Sequence, residues 1–412
     1  MSKIIEDTIA RILDSVNAIS APGPGYTRPS YSPLETAAHA VIASEAERLG
    51  LDVSYDAARN LYARLPGRDR SARPLYIGSH LDTVPMGGAY DGTAGVAGAM
   101  ALAASYLQEG EVPPVDLVVS VIRAEESVWF PASYIGSRAA LGKLNREDLD
   151  LCRSDTGRRL AEHMIEEGAD PDAILAGPGL EPANFLEPHI EQGPILNEAG
   201  EAFALVTGIR GGLRYRTARI EGVWAHSGGA PREGRADTVF ALADLVTALD
   251  QAWGDTLKDG LDLAVTIGRV DAASDEHAFA KVPGRLDFCI DLRSADTATL
   301  DLFDSILQRH TASVETKRGI RFELGAKSRS QPSRLSQDIC ARLERAAHQL
   351  GHNPRLMFSG GGHDAAAFAS SGWDAAMIFI RNWNGSHNPD EGMNPDDLAT
   401  AVKVIRSAWT PA

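Results

Sequence analysis

Imidazole and carboxylate side chains recur in short segments that follow an apolar stretch or lie beside glycine and asparagine. The segments are "YIGSHLDTVPMGGAYDGTAGV", the acidic pair after "VDLVVSVIRA", "EPHIEQGPILNE" and "NGSHNPDEGMN". The candidates that they contain are His80, Asp82, Asp91, Glu125, Glu126, His189, Glu191, Gln192 and His387. Singly, an Asp before a helix is typical of an N-cap, and a lone His is typical of a hydrogen-bonded loop. Their recurrence at equivalent places indicates one shared site.

These side chains offer nitrogen and oxygen ligands and no thiolate, which suits Zn²⁺, Mn²⁺, Co²⁺ or Ni²⁺. The residue types do not choose among these ions. If two ions lie about 3.5 to 4 Å apart, one carboxylate bridges them and a shared water becomes a nucleophile. The adjacent Glu125 and Glu126 point in different directions, so the pair fits two separate roles, and it also fits a solvated acidic pair. The residues alone leave the two interchangeable.

The elements that must position these residues alternate between apolar and helical segments. "PLYIGS" precedes "TAGVAGAMALAASYL", "VDLVVSVIRA" precedes a helical segment from about Pro131, and "DAAMIFI" precedes "DDLATAVKVIRSAW". Strands that are apolar on both faces predict an α/β layer fold, with helices covering a mostly parallel sheet. Loops at the carboxyl ends of such strands carry the chemistry. "SAPGPGYTRPSYSP" is typical of a long loop, and its composition indicates no function.

A chain of 412 residues is longer than a single hydrophobic core ordinarily supports, so its length indicates two domains. In the middle of the chain, "RYRTARIEGV", "LDLAVTIGRV" and "RLDFCIDLRS" predict strands. "DTVFALADLVTALDQAW" and "TATLDLFDSILQRH" predict helices between and after them. We therefore expect a small α+β domain over residues 211–327, inserted into a first domain formed by residues 1–210 and 328–412.

The composition excludes several classes of protein. A chain that is 44 % hydrophobic and 23 % charged is ordinary for a globular protein, and no stretch approaches the roughly 18 apolar residues of a membrane span. A formal net charge of −16 without a Lys/Arg stripe argues against nucleic acid as a partner. The N-terminal segment has helical spacing rather than the apolar run of a secretory signal, so we expect a cytoplasmic protein. The scattered Cys152, Cys289 and Cys340 predict buried thiols rather than disulfides.

Motifs along nearly the whole chain resemble those of the dinuclear metallopeptidase family M20, which contains carboxypeptidase G2-like enzymes. In chain order they are "GSHLDTVPMGGAYDGTAGV", "AEES", "PHIEQGP", "HSGGAP", "GRADT", "DLR", "SGGGHDAAAFA" and "SHNPDE". The "HIEQGP" within the third motif is characteristic of the amidohydrolase branch, which holds N-carbamoyl-L-amino acid hydrolases, β-ureidopropionases and allantoate amidohydrolases. The resemblance implies a zinc-peptidase-like α/β/α catalytic domain, interrupted by a smaller ferredoxin-like α+β domain that serves as dimerisation interface and lid.

Carried over residue by residue, the resemblance implies two divalent metal ions that share one aspartate. The implied ligands are His80, Asp91 and His189 for one ion, and Asp91, Glu126 and His387 for the other. Asp82 would orient His80 through the far ring nitrogen. Glu125 would be the general base that takes a proton from the metal-bridging water and delivers it to the departing nitrogen. The implied reaction is hydrolysis of a linear C–N amide bond in an N-carbamoyl (ureido) amino acid or a related carboxylate-bearing substrate.

The implied substrate contacts come from both predicted domains. They are Gln192, Gly361, Gly362, His226 and Arg293. Arg293 would bind the substrate carboxylate, and His226 would stabilise the oxyanion in the active site of a partner subunit, which makes the protein a homodimer. By residue type alone, His226 fits a turn histidine and Arg293 fits a surface ion pair equally well. His363 and Asp364 fit a supporting role as well as a contact, so we leave them outside the catalytic set.

The sequence departs from the family pattern on the substrate side. Ala280 in "FAKVPG" stands where members carry an Asn that contacts the substrate. Ser127 and Trp129 in "EESVWF" stand where members carry Gly and Arg, and His226 is followed by Ser-Gly-Gly-Ala. Trp129 and Trp224 fit either a bulkier substrate or a core role. The reaction class therefore stands, while the identity of the substrate is open.

Two alternatives follow from these departures. The first is hydrolysis of N-acyl amino acids or amino-acid amide conjugates on the same metal centre. The second, more remote, is a catalytically silent dimeric binding protein, which the presence of every implied ligand and of Glu125 disfavours. A serine hydrolase is excluded because the sequence contains no GxSxG elbow.

Overall fold

The structure, a computed structural model, describes residues 2–272 and 276–410. The helices are α1 (Ser2–Asn17), α2 (Pro33–Leu49), α3 (Thr93–Gln108), α4 (Ile135–Ala140), α5 (Arg146–Leu149), α6 (Leu160–Glu166), α7 (Pro171–Ala176), α8 (Ile195–Ala199), α9 (Thr238–Lys258), α10 (Thr297–Arg318), α11 (Gln337–Gln349), α12 (Asp364–Ser370) and α13 (Pro395–Trp409).

The strands are β1 (Asp52–Tyr55), β2 (Leu61–Leu65), β3 (Leu75–His80), β4 (Leu117–Ile122), β5 (Asn184–Ile190), β6 (Phe203–Ile209), β7 (Gly211–Glu221), β8 (Ala225–His226), β9 (Ala264–Asp271), β10 (Lys281–Val282), β11 (Arg285–Ser294), β12 (Arg321–Glu323), β13 (Lys327–Ser330), β14 (Ser333–Arg334), β15 (Arg355–Ser359), β16 (Asp374–Ile380), β17 (Asn382–Trp383) and β18 (Gly392–Met393).

The chain divides into two compact units. The first comprises Met1–Thr207 and Arg334–Ala412, and the second comprises Gly208–Ser333. The segment 211–327, predicted from the sequence as an inserted domain, lies within the second unit.

The main sheet of the first unit has the strand order β1-β2-β4-β3-β5-β16-β6. The α/β fold is confirmed, and the four central strands β4, β3, β5 and β16 run parallel. The prediction of a mostly parallel sheet was wrong at its flanks, since β1, β2 and β6 pair antiparallel with their neighbours. The strands β1 and β2 form a hairpin at one edge of the sheet, and β6 pairs with β16 towards the other edge, so their direction depends on pairings that an alternation of apolar segments does not reveal.

Helices cover the central strands because those strands are apolar on both faces. All residues of β3 and β4 are buried. The helix α3 packs on β3, β4 and β5 and is itself covered by α1 and α13, which leaves Thr93–Tyr106 buried throughout. The helix α1 contributes Ile5, Ile9 and Ile12, at helical spacing, to the same core. On the other face, α12 packs against β5 and β16. The layers therefore hold the carboxyl ends of β3, β4 and β5 at one rigid edge.

The second unit is an antiparallel sheet, in the order β12-β7-β11-β9, with two long helices on it. Residues of β11 alternate between buried and half-buried, because one face packs against α9 and α10. Within this unit, β8 and β10 pair as a separate two-stranded ribbon.

The finer predictions concern the start of α4, the burial of the cysteines and membrane-spanning segments. The helix expected from about Pro131 begins at Ile135, after Tyr134, which has a positive φ of 59°. The expectation of buried thiols was wrong for Cys152, which is exposed, whereas Cys289 and Cys340 are half-buried. Across residues 2–272 and 276–410, no helix is long and apolar enough to cross a membrane.

Gly78 in β3 provides a test of how tightly the central strands pack. A Cβ at this position would overlap the carbonyl oxygen of Ser120 in β4, so Gly78→Ala must separate the two strands. We expect the free energy of unfolding to fall by about 1–3 kcal/mol, measured by urea denaturation. Gly254→Ala is the control, because it lies in α9 with open space around its Cβ and should stabilise by about 0.5–1 kcal/mol. Undiminished stability of Gly78→Ala would contradict the close approach of the strands.

Candidate metal centre

The carboxylate of Asp91 is the point on which the other candidates converge. The register that pairs Leu75 of β3 with Asn184 of β5, continued along both strands, places His80 beside His189. The Nε2 atoms of His80 and His189 lie 3.5 and 3.1 Å from Oδ1 of Asp91. The two buried imidazoles therefore face the same carboxylate oxygen.

The second oxygen of Asp91 faces the C-terminal part of the chain. Its Oδ2 lies 3.2 Å from Nε2 of His387, which is also 3.5 Å from Oε1 of Glu126. Asp91 thus belongs to two groups of potential ligand atoms, each within 4.8 Å: His80, Asp91 and His189, and Asp91, Glu126 and His387. The structure brings together all five residues that the family resemblance implies as metal ligands.

The backbone around Asp91 explains why its side chain points into this cluster. The N-cap of α3 is Gly92, with a φ of 64°, so Asp91 does not cap the helix. A Cβ on Gly92 would lie 2.6 Å from Cε1 of His80, which makes glycine necessary for the close approach. The backbone N–H groups of Tyr90 and Asp91 donate to Oε1 of Glu391, at 2.8 and 3.2 Å.

Backbone carbonyl oxygens determine the tautomers of the His80 and His189 imidazoles. Nδ1 of His80 lies 3.0 Å from the carbonyl oxygen of Asp82, and Nδ1 of His189 lies 2.9 Å from that of Ile190. A carbonyl only accepts, so each Nδ1 carries a proton and the lone pair of the neutral ring is on Nε2. Nε2 of His189 is buried without a hydrogen-bond partner among the described residues. This donor set fits a divalent cation, which accepts imidazole Nε2 and carboxylate oxygen.

Charge in the cluster leads to the same conclusion. Burial opposes ionisation of Asp91, but the neighbouring imidazoles of His189, His387 and His80 hold its pKa well below the usual range. A hydrogen bond to Asp91 is the main cause that raises the pKa of His387 to about 9. Burial opposes a charge on His80, yet the carboxylates of Asp82 and Asp91 raise its pKa well above normal. The buried carboxylates thus require positive charge between them, which protons or a cation can supply.

Glu125 and Glu126 follow β4 and are both buried. Their backbone N–H groups donate to Oδ1 and Oδ2 of Asp82, each at 3.1 Å. Oδ1 of Asp82 also lies 3.3 Å from Nδ1 of His80. Asp82 therefore contacts the imidazole of His80 through both its carbonyl and its carboxylate, while the carboxylate also holds the acidic pair. Burial, followed by Coulombic interactions with neighbours that include Glu126, raises the pKa of Glu125.

The residues predicted to contact substrate in the first unit border this cluster. Gln192, at a φ of 63°, donates through Nε2 to Oδ2 of Asp91 at 2.9 Å and lies 3.4 Å from Nε2 of His387. A Cβ on Gly361 would lie 2.8 Å from Oε1 of Gln192, and one on Gly362 would overlap the hydroxyl of Tyr134. The two glycines therefore leave room for Gln192 and Tyr134 beside the metal-ligand candidates.

His363 and Asp364, which the sequence left unassigned, are buried behind the cluster. Nε2 of His363 lies 2.8 Å from the hydroxyl of Ser359, and its ring packs on His189 with centroids 4.4 Å apart. Asp364 accepts a hydrogen bond from the hydroxyl of Ser137. These contacts give both residues a supporting position.

Two supporting carboxylates were not singled out from the sequence. Glu187 lies two residues before His189 on β5, hence on the same face, and accepts from Ser79 Oγ and from the N–H of Ala365, both at 2.8 Å. Glu391 accepts from the Ser386 hydroxyl at 2.6 Å. The i, i+2 spacing to His189 was a readable signal for Glu187, whereas nothing in the sequence relates Glu391 to Asp91.

The long loop at residues 20–33, whose composition indicates no function, supports the segment after β3. Arg28 is fully buried there and donates to the carbonyl oxygen of Leu81 at 2.7 Å and to Oγ1 of Thr93 at 3.0 Å. The hydroxyl of Ser30 donates to Oδ2 of Asp82 at 2.6 Å. The loop therefore braces both ends of the segment that runs from His80 to α3.

His226 and Arg293 lie in the second unit. Nδ1 of the exposed His226 accepts from the N–H groups of Gly228 and Gly229 at 3.2 and 3.0 Å, which leaves the ring proton on Nε2. Arg293 donates from Nε to Oδ2 of Asp291 at 2.9 Å. Ala280, where the family pattern has an Asn, accepts from the N–H of Ser227 at 2.9 Å and so lies next to His226.

The two tryptophans take structural positions. Trp129 is 5 % exposed, packs in a cluster with Phe130, and donates from Nε1 to the carbonyl oxygen of Thr83 at 2.7 Å. Trp224 packs edge-on against His277 and under the ammonium of Lys281. Both contacts favour the packing interpretation over a direct substrate contact.

The amino-acid sequence of this chain is related to those of named proteins. An N-carbamoyl-L-amino acid amidohydrolase of Geobacillus stearothermophilus is 31 % identical over 97 % of this chain and 96 % of the relative. An allantoate amidohydrolase of Escherichia coli (strain K12) is 32 % identical over 93 % of this chain and 92 % of the relative. The chain is thus similar over its length to two named amidohydrolases.

A solved structure and a protein-family model also match most of this chain. An amidase of the hydantoinase/carbamoylase family from Burkholderia multivorans has a TM-score of 0.86 at 25 % identity and covers 98 % of this chain and 97 % of that chain. The model of peptidase family M20/M25/M40 matches residues 76–410, which include every candidate of the metal centre. The chain belongs to peptidase family M20/M25/M40, which is metal-dependent.

Proposed function

We propose that this protein hydrolyses a linear C–N amide bond in an N-carbamoyl (ureido) amino acid, or in a related substrate that carries a carboxylate. The observation that carries this proposal is the membership of Asp91 in two groups of ligand atoms, with the buried Glu125 in Coulombic interaction with His80 and Glu126. The amidohydrolase names of full-length relatives support the substrate class.

Two divalent ions fit the cluster, with Zn²⁺, Mn²⁺, Co²⁺ and Ni²⁺ all compatible with its nitrogen and oxygen donors. His80, Asp91 and His189 would hold one ion, and Asp91, Glu126 and His387 would hold the other. When bound, such ions supply Lewis acidity, which activates water at neutral pH and polarises the scissile carbonyl.

Glu125 is the general base in this proposal. Its neighbour Glu126 lies against His387, whereas Glu125 is absent from both groups of ligand atoms, which leaves its carboxylate for proton transfer. A pKa raised by burial suits that task, because a base works best when its pKa approaches the working pH. Glu125 would take a proton from the attacking water and deliver it to the departing nitrogen.

The proposed substrate contacts include Gln192, Arg293 and His226. Gln192 would orient the substrate beside Asp91, and the planar guanidinium of Arg293 would bind its carboxylate. His226 carries its proton on Nε2 and is exposed, so it can donate to a developing oxyanion. We propose that it does so in the partner subunit of a homodimer, with the second unit serving as interface and lid.

A second candidate function is hydrolysis of N-acyl amino acids on the same centre. Ala280 favours it, because an alanine next to His226 offers no amide to a ureido group. Loss of one such hydrogen bond costs about 1–3 kcal/mol when the substrate group is buried.

Metal removal tests the centre itself. We expect a chelator to abolish hydrolysis and Mn²⁺, Co²⁺, Ni²⁺ or Zn²⁺ to restore it. Full activity in protein shown to be metal-free would refute the mechanism.

Replacement of Glu125 tests its role as the base. Glu125→Gln should retain the metal content of the wild type while kcat falls by about 10²–10⁴-fold, since it removes the base and none of the ligands. The matched control is Glu147→Gln, at an exposed residue of α5, which should leave kcat unchanged.

A substrate panel on metal-loaded protein separates the two candidate functions. It compares N-carbamoyl-L-amino acids, N-carbamoyl-β-alanine and allantoate with N-acetyl and aromatic-acyl amino acids. Ammonia released from the ureido compounds is the expected result, because the relatives are named for such substrates. Free amine without ammonia, from the acyl compounds alone, would establish the second candidate instead.

Hybrid dimers test the role of His226. His226→Ala should be nearly inactive, because removing one oxyanion donor costs about a hundredfold or more in turnover. Glu125→Ala should be nearly inactive because it lacks the general base. If His226 acts in the partner subunit, mixing the two variants creates one intact site per hybrid dimer and restores up to about one quarter of wild-type activity. Absence of recovery, with subunit exchange demonstrated by two affinity tags, would show that His226 does not act across the interface.

A further inference from the structure

Glu35 is a fully buried carboxylate that the proposed chemistry does not use. It lies in the first turn of α2, and both of its oxygens accept hydrogen bonds. Oε1 accepts from the N–H of Ala124 at 2.9 Å. Oε2 accepts from Nη1 of Arg123 at 2.9 Å and from the N–H of Tyr31 at 2.7 Å. Two of these three donors belong to the segment that leads directly into Glu125.

The residue held by Glu35 has an unusual backbone conformation. Ala124 has a φ of 53°, in the left-handed region that a residue with a Cβ rarely adopts. Such a conformation persists only where surrounding contacts determine it. The strand β4 ends at Ile122, so this turn sets the direction in which the chain continues to Glu125 and Glu126.

Contacts on every side fix the peptide groups of this segment. The N–H of Arg123 donates to Asn60 at 2.9 Å, and the carbonyl oxygens of residues 123, 124 and 125 accept from the N–H groups of residues 136, 135 and 134. The N–H groups of Glu125 and Glu126 donate to Asp82, as described above. Glu35 alone, among the described side chains, accepts from the N–H of Ala124.

We propose that Glu35 is a positioning residue for Glu125: its carboxylate holds Ala124 in the left-handed turn and so aims the base at its working position. The proposal rests on the role of Glu125 as general base. Glu35 acts through Ala124 and Arg123, at a distance from the substrate, so it affects the catalytic step more than substrate binding. Arg123, only 2 % exposed, balances its charge and is anchored by Nε on the carbonyl oxygen of Arg59 at 3.0 Å.

The test compares Glu35→Gln and Glu35→Asp with a matched control at the other end of the same strand. The amide of glutamine keeps one accepting oxygen, so its NH₂ group must face either the N–H of Ala124 or the donors Arg123 and Tyr31, and the charge that balances Arg123 is lost. Aspartate keeps the charge for Arg123 but withdraws the oxygens from Ala124. Asp116→Asn is the control. Asp116, next to Leu117 of β4, is likewise a buried carboxylate that accepts from an arginine, Arg64, at 2.6 Å and from a backbone N–H, that of Gly67, at 2.8 Å.

The first readout is hydrogen exchange, resolved by mass spectrometry, in metal-free protein. We expect exchange across residues 123–126 to accelerate about tenfold or more in both Glu35 variants and to stay unchanged in Asp116→Asn. The second readout is steady-state kinetics at saturating metal. We expect kcat to fall about tenfold or more in the Glu35 variants while KM changes less than about threefold, since small misplacement of a catalytic group slows the chemical step.

Unchanged exchange at residues 123–126, or a kcat equal to that of Asp116→Asn, would overturn the proposal. If Glu35→Gln does not fold, because Arg123 loses its counter-charge, Glu35→Asp carries the test. If neither variant folds while Asp116→Asn does, Glu35 is a structural residue and the proposal fails. A wild-type protein without turnover would refute the proposed function, and the exchange comparison would still decide whether Glu35 positions the segment.

Discussion

The buried carboxylate of Asp91 faces three imidazole nitrogens within 3.5 Å, those of the buried His80 and His189 and of the exposed His387, and the elements of the first unit position these groups. Buried carboxylates and imidazoles are stable at such distances only when positive charge lies among them. The parallel pair β3 and β5 supplies two of the rings, and the segment after β16 supplies the third. The glycine at the N-cap of α3 keeps Asp91 out of the capping role and available to both sides.

Support for this centre comes from an outer ring of carboxylates whose partners are backbone N–H groups. Asp82 holds Glu125 and Glu126, Glu187 holds Ala365, and Glu391 holds Tyr90 and Asp91. A carboxylate that accepts backbone N–H groups fixes a loop more firmly than a neutral acceptor, because the hydrogen bonds are charge-assisted. The accumulation of negative charge around the cluster also favours cations within it.

Much of this arrangement was predictable from local patterns. The strand-then-helix order gave the α/β class and the parallel centre of the sheet, and the segments after β3, β4 and β5 gave the ligand candidates. The roles of Glu125 and Glu126 were not predictable from the residues, because adjacent carboxylates have the same sequence context. Glu35 and Glu391 were also missed, since each is hydrogen-bonded to a segment about 90 or 300 residues away in the chain. The antiparallel flanks and the exposure of Cys152 depend on long-range packing in the same way.

The departures from the family pattern fall into two physical kinds. Trp129 replaces an arginine but becomes buried and donates to the loop that follows His80, so this change supports the segment and leaves the ligand atoms untouched. Ala280 removes a side-chain amide next to His226 and adds no polar group in its place. Under the proposed function, the first kind of departure preserves the chemistry of the metal centre, and the second changes a group that would meet the substrate.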